Sequence, residues 1–305
     1  MAHIPVLLNE VIDYLVPNGR TIERAIDGTL GAGGHTKAML EVGVEHVLAF
    51  DLDLQAIVLA QDSLSHYTDH VTIVHDSYLQ MAEHAQYKGW NQVDAILLDL
   101  GLSSMQLDTA ERGFAFKHDG VLDMRFNKDG NQPTAAYLVN HWAADDLADI
   151  FYKYGEERHS RRIAREIIKH RPFVTTQQLA ERVAIAMPRG KKSKIHPATR
   201  VFQALRIAVN DELQTVESAL PIAINLLKTG GRLAVITFHS LEDRIVKNIF
   251  KDASTEIIAP PGMASIEEKE AIIKLLNRKP IVPSATEIAR NPRSRSSKLR
   301  VVEKL

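Results

Sequence analysis

Apolar and polar positions follow two rhythms along the first third of this chain, and the switch between them marks its elements. Short apolar runs at 21–26, 46–50, 71–74 and 93–98 predict strands, being too brief for helices and rich in Ile, Val and Leu. Between them, apolar residues recurring with a period of about 3.6 predict helices over 36–42, 55–65 and 78–88. Strands alternating with helices in this way predict βαβ units and a parallel sheet.

The rhythm changes after residue 106. From there to about residue 205 the β-branched runs disappear, and amphipathic patterns at 143–154, 160–170 and 176–187 predict helices. Pro133, Pro172, Pro188 and Pro197 punctuate this stretch, which reads as a helical insertion. A long helical pattern over 208–227 then ends at Thr229-Gly230-Gly231, and a fifth strand is expected over 232–238. Beyond it the pattern predicts a helix at 242–250, a strand at 255–259, a helix at 265–276 and a strand at 297–303. The expected organisation is a core from 1–106 and 206–305 interrupted by an inserted helical domain over 107–205.

Two strand ends carry the most distinctive chemistry. The first runs into Asp27-Gly28-Thr29-Leu30-Gly31-Ala32-Gly33-Gly34-His35 and the fourth into Asp99-Leu100-Gly101-Leu102-Ser103-Ser104. Ligands of open α/β sheets bind at the carboxyl ends of strands, and glycines let the backbone approach them closely. A dinucleotide fingerprint needs three spaced glycines; here Gly31 and Gly33 fit, but the third place holds Thr36. An acid leading the loop also repels a diphosphate. It suits a cationic nucleoside such as S-adenosylmethionine, whose sulfonium and ammonium groups are positive. Asp51 ends the second strand, 24 residues after Asp27, where a carboxylate accepts two ribose hydroxyls; the alternative is that Asp51 or Asp53 caps the next helix. Tyr78 lies either against an adenine ring or in ordinary packing.

Composition adds exclusions. The net charge of −1 gives no global attraction to polyanions, so any such site must be a local patch. The chain has no cysteine, which removes disulfides, thiolate metal sites and cysteine nucleophiles. No run of eighteen apolar residues and no signal-peptide pattern occurs, so the expectation is a soluble, cytoplasmic protein without membrane contact. His35 and His196 lack the spacing of a metal pair, and no metal is expected.

Asp99 stands where a methyltransferase of this architecture faces its acceptor. An exocyclic cytosine amine is a poor nucleophile, because its lone pair is delocalised into the ring. A carboxylate accepting one of its N–H groups orients it for in-line attack; the alternative is that Asp99 caps a turn. Gly-Leu-Ser-Ser follows the acid here, rather than the Pro-Pro-Tyr of familiar DNA amino-methyltransferases.

The chain closely resembles the bacterial 16S ribosomal RNA cytosine-N4-methyltransferase family. The resemblance rests on His3-Ile4-Pro5-Val6-Leu7-Leu8, the loop at 27–35, 99–108 (DLGLSSMQLD), 111–114 (ERGF) and 119–125 (DGVLDMR). It continues through 154–157 (YGEE), 196–200 (HPATR), 202–206 (FQALR), 237–244 (TFHSLEDR) and Asn291-Pro292-Arg293. It implies a Rossmann-like class I methyltransferase core with an inserted α-helical substrate domain. The implied reaction moves a methyl group from S-adenosylmethionine to N4 of a cytidine in the decoding region of 16S rRNA, within the assembled small subunit. Implied cofactor contacts are Gly33, Gly34, His35, Asp51, Tyr78, Asp99 and Gln106; Asp99 is also the catalytic candidate, as the residue that orients the amine, and the sequence does not identify the proton acceptor.

Basic clusters supply RNA candidates. They are Arg158, Arg161, Arg162 and Arg165; Arg189, Lys191, Lys192 and Lys194; and Arg293, Arg295, Lys298 and Arg300. Each is alternatively a solvated face. His239 either contacts the substrate or stabilises its turn, and Phe114 and Phe116 read as core before they read as base-stacking rings. Two rivals stay open: a methyltransferase of small molecules or proteins, and a non-catalytic RNA-binding assembly factor. Nothing in the sequence speaks to oligomeric state.

Overall fold

A computed structural model of the chain describes residues 4–188, 196–257 and 268–305. These residues form two compact units, one from Met1–Gly101 with Leu213–Leu305 and the other from Leu102–Glu212. Among them, no helix is long and apolar enough to cross a membrane.

The first unit is built on a seven-stranded sheet. Its strands are β1 (Arg24–Asp27), β2 (His46–Asp51), β3 (Val71–His75), β4 (Val93–Asp99), β5 (Leu227–Thr237), β6 (Ile273–Leu275) and β7 (Lys298–Lys304). They lie in the order β3-β2-β1-β4-β5-β7-β6, parallel from β3 through β5, with β7 antiparallel to β5 and β6 antiparallel to β7. Successive residues point to opposite faces, and both faces are covered. Ile26, Leu48, Ile96, Leu98, Leu233 and Val235 pack against the helices Met81–Tyr87, Glu212–Leu226 and Ser240–Ala253. Ala25, Val47, Ala95, Leu97, Ala234 and Ile236 pack on the other side, with apolar residues of Leu8–Leu15, Gly34–Glu41 and Leu54–Ser63. Burial on two sides explains why β4 reads as an unbroken apolar run rather than an alternation.

The structure departs from the sequence pattern in several places, one being that β5 begins at Leu227 rather than residue 232. β1 begins at Arg24 rather than residue 21, because the Asp94 carboxylate accepts the N–H groups of Glu23 and Arg24 at 3.1 and 3.0 Å. The helix expected at 265–276 is overturned over its described part: Ile273–Leu275 is strand β6 against β7, and 265–267 lie outside the described residues. With Ile273 buried and Lys274 exposed, a short apolar run served a period of two as well as one of 3.6. The strand expected at 255–259 is reduced to an isolated bridge between Ile257 and Lys269, with 258 and 259 outside the described residues. The helix expected at 208–227 is divided at Asp211, whose φ of 51° ends Ala198–Asn210 before Glu212–Leu226 begins.

The second unit is helical. Ala135–His141, Ala144–Lys153, Ser160–Lys169, Thr176–Ala186 and Ala198–Asn210 surround a core that includes Leu138, Phe151, Ile163, Val183 and Leu205. Phe114 and Phe116 belong to this core. Phe114 stacks on Phe126 at 5.6 Å between centroids, and Phe116 lies 4.9 Å from Phe202. Arg112 is fully buried beside them, and its guanidinium donates to the carbonyls of Arg125 and Phe126.

Candidate active site

Three neighbouring strands end in carboxylates: Asp51 on β2, Asp27 on β1 and Asp99 on β4. The loop after β1 is tied to both neighbours, since Gly28 donates to the Leu97 carbonyl at 2.9 Å and Leu30 to the Phe50 carbonyl at 2.8 Å. Gly33, with φ of 81°, is the N-cap of Gly34–Glu41, and this left-handed turn favours glycine. Gly34 is fixed by proximity, because a Cβ there would stand 2.4 Å from Cγ of Pro5. The helix therefore opens at the loop without a capping side chain, leaving its first N–H groups to other acceptors.

Asp27 corrects the sequence reading. The sequence pattern predicts an acid facing a cationic ligand, but the side chain is 1 % exposed and turned into the loop. One oxygen accepts from Thr36 Oγ1 at 2.7 Å and the other from the Thr29 N–H at 3.1 Å. Burial pushes its carboxyl above the ordinary range, against these hydrogen bonds. Thr36, which stands where a third glycine was missing, is thus the brace of the loop.

Asp51 and Asp53 separate the two readings offered for them. Asp53 caps the helix Leu54–Ser63, accepting from the Gln55 N–H at 3.0 Å. Asp51 accepts from Gly31 and Asp53 N–H groups, each at 2.8 Å, and so clamps the glycine loop to β2. Burial outweighs these bonds and pushes its carboxyl up to about 6. Each oxygen retains a lone pair for a further donor. Tyr78, at the turn after β3, packs partly buried against the core that holds Ile26 and Leu98.

Asp99 is the most perturbed carboxylate of the edge. Its backbone N–H donates to Thr29 Oγ1 at 2.6 Å, and Oδ1 is buried without a hydrogen-bond partner among the described residues. Burial, followed by the charges of Asp27 and Glu242, raises its carboxyl well above the usual range. Oδ2 faces Nδ1 of buried His35 at 3.7 Å. The imidazole orientation is set from the other side, because Nε2 lies 3.0 Å from the Val6 carbonyl and must carry a proton to bond it. At this distance the imidazole is an electrostatic neighbour of the carboxyl rather than its hydrogen-bond partner. Sequence reading placed both residues at the site without seeing this pairing, since 64 residues separate them.

His239 takes the turn-stabilising one of its two readings. It caps Ser240–Ala253 through a reciprocal arrangement with Glu242, whose Oε2 accepts from the N–H groups of Phe238 and His239. A capping residue followed three places later by Glu is the sequence signal that marks this role. Gln106 belongs to the helical unit, buried in a second reciprocal cap with Ser103. Arg293 and Arg295 are exposed on the turn Pro292–Ser296, whereas Lys298 and Arg300 of the same cluster both pair with Asp243. Arg189, Lys191, Lys192 and Lys194 lie outside the described residues.

Residues 1–305 match the MraW methylase family. A relative from Magnetococcus marinus is 49% identical over 312 residues, covering 99% of this chain and 98% of its own length. Another from Trichodesmium erythraeum is 48% identical over 308 residues, covering all of both chains. Both are named ribosomal RNA small subunit methyltransferase H.

If Thr36 braces the loop through buried Asp27, the near-isosteric Thr36→Val leaves that oxygen short of a donor. Urea denaturation at about pH 8 is expected to show a loss of about 1–3 kcal/mol; an unchanged midpoint contradicts the brace.

Proposed function

The chain belongs to the MraW methylase family, and we propose that it transfers a methyl group from S-adenosylmethionine to N4 of one cytidine in the decoding region of small-subunit ribosomal RNA. The observation that carries this reading is Asp99: a buried carboxylate oxygen without a hydrogen-bond partner among the described residues, at the centre of an acidic strand edge. The relatives' names support ribosomal RNA of the small subunit as substrate.

The edge fits the cofactor in charge and in donors. Asp51 and Asp99 at the strand ends favour a ligand bearing sulfonium and ammonium charges over a diphosphate. Gly33 and Gly34 give close backbone approach, with His35 at the same helix start; Asp51 accepts the ribose hydroxyls and Tyr78 offers a ring face. The helical unit, to which Gln106 belongs, serves as the substrate-recognition domain. When bound, the cofactor supplies an electrophilic methyl group.

The chain's own residues do the rest. Asp99 accepts one N–H of the cytosine amine, holding the nitrogen in line and drawing density toward it. A cation nearby favours its ionised form. The proton released from the amine passes to Asp99, whose Oδ2 faces His35 Nδ1 at 3.7 Å while Val6 holds the ring. No covalent enzyme intermediate forms through sulfur, because the chain has no cysteine. Arg189, Lys191, Lys192, Arg293 and Arg295 are proposed RNA contacts, and His239 acts through its turn. The enzyme works in the cytoplasm, on the assembled small subunit.

Two outcomes follow. With assembled small subunits as substrate, Asp99→Asn is expected to lower kcat about 100-fold or more. Its thermal midpoint should equal or exceed that of the wild type, since a buried and mutually repelled charge is removed. Retained kcat contradicts the assignment. The second outcome concerns pH. Below about 6 the Asp51 acid carries a proton that it must release before it can accept two hydroxyls. Calorimetric affinity for S-adenosylhomocysteine is therefore expected to be level above that pH and to fall about tenfold per unit below it. Asp51→Asn should bind more weakly with no such break, and a break that persists in the variant contradicts the role.

A further inference from the structure

The helical unit carries a concave, unpaired cationic surface that the catalytic reading leaves unused. A cavity of about 420 Å³ lies between the helices Ala144–Lys153 and Ser160–Lys169, lined by Tyr152, Arg158, Arg161, Arg162 and Arg165 among others. All four arginines are exposed, and none makes an ion pair among the described residues. By contrast, Arg125, Arg200 and Arg206 of this unit each have a carboxylate. The nearby acids are committed elsewhere: Asp149 pairs with Lys153 at 3.0 Å and Glu166 with His170 at 3.1 Å.

The placement of these cations also runs against helix electrostatics. Arg161 and Arg162 occupy the first turn of Ser160–Lys169, at the positive end of its dipole. The same turn has no acidic residue, and its N-cap His159 makes no side-chain capping bond. Guanidinium groups gathered at a positive helix end repel one another and the dipole, and an anion seated there relieves both. In a chain of net charge −1, such a cluster is a local and selective feature.

Tyr152 decides the class of anion. Its side chain projects at the cavity rim, and the residue is 64 % exposed, a large aromatic surface left in water. Guanidinium groups recognise phosphates, and an aromatic face beside them stacks an unpaired base. We propose that this surface binds a single-stranded segment of RNA, with Arg158, Arg161, Arg162 and Arg165 on its phosphates and a base against Tyr152. The inference rests on the reading of the chain as an RNA methyltransferase and gives its helical unit an RNA-docking subsite of its own.

The test uses the full chain and a fluorescein-labelled single-stranded RNA of about ten nucleotides, followed by fluorescence anisotropy over a range of salt. The combined variant Arg161→Gln, Arg162→Gln, Arg165→Gln is expected to weaken binding at least about tenfold at low salt. It should also reduce the slope of log Kd against log salt by about 2, at roughly 0.7 for each phosphate contact. Tyr152→Ala should weaken binding about 5- to 100-fold with little change in slope, and Tyr152→Phe should not. Melting curves check that the variants are folded. Unchanged affinity and slope in the arginine variant overturn the proposal. So does inorganic phosphate displacing the RNA more than chloride of equal ionic strength, which marks a site for isolated phosphate. Loss of binding to assembled subunits with RNA affinity intact also overturns it, marking an acidic protein partner. The wild-type chain's methyl transfer is measured alongside, so that failure of this patch and failure of the enzymatic reading give different results.

Discussion

The structure depends on a crowding of carboxylates at one edge of a buried sheet. Asp51, Asp27 and Asp99 end three adjacent strands, and burial raises the carboxyl of each above its ordinary range. A fold tolerates buried acids when hydrogen bonds answer them. Asp27 is answered by Thr29 and Thr36, and Asp51 by Gly31 and Asp53. In satisfying these acids the loop after β1 acquires its shape, so the same bonds that settle the charge also position the glycines. Asp99 is the member whose Oδ1 stays unanswered among the described residues, and it is where the chemistry is assigned.

The two units divide the electrostatic labour. The sheet unit gathers negative charge at the strand ends, which suits a cationic methyl donor. The helical unit displays unpaired arginines around an exposed tyrosine, which suits a polyanionic chain. The near-neutral total charge conceals this separation, because the two excesses cancel in the sum.

The parallel strands were legible because burial on both faces leaves continuous apolar runs, as in β4. The helical insertion was legible from its change of period. β6 was not, since three residues at a sheet edge carry too little pattern to distinguish one period from another. The break at Asp211 was hidden because a left-handed residue between two amphipathic helices leaves their apolar rhythm almost intact. At the site, residue identities were legible but their partners were not. Asp27 read as a ligand-facing acid because sequence does not show that Thr36, nine residues on, turns its hydroxyl inward. The Asp99–His35 pairing and the reciprocal cap of His239 with Glu242 likewise depend on chain direction in space.

The central claim is that the acidic edge holds a methyl donor while Asp99 receives a cytosine amine. Nucleoside mass spectrometry of small-subunit ribosomal RNA tests it most directly, using cells that lack this chain and the same cells carrying the wild type or Asp99→Ala. The account predicts that N4-methylcytidine disappears without the chain, returns with the wild type and stays absent with the variant. Persistence of N4-methylcytidine in cells lacking the chain would contradict it.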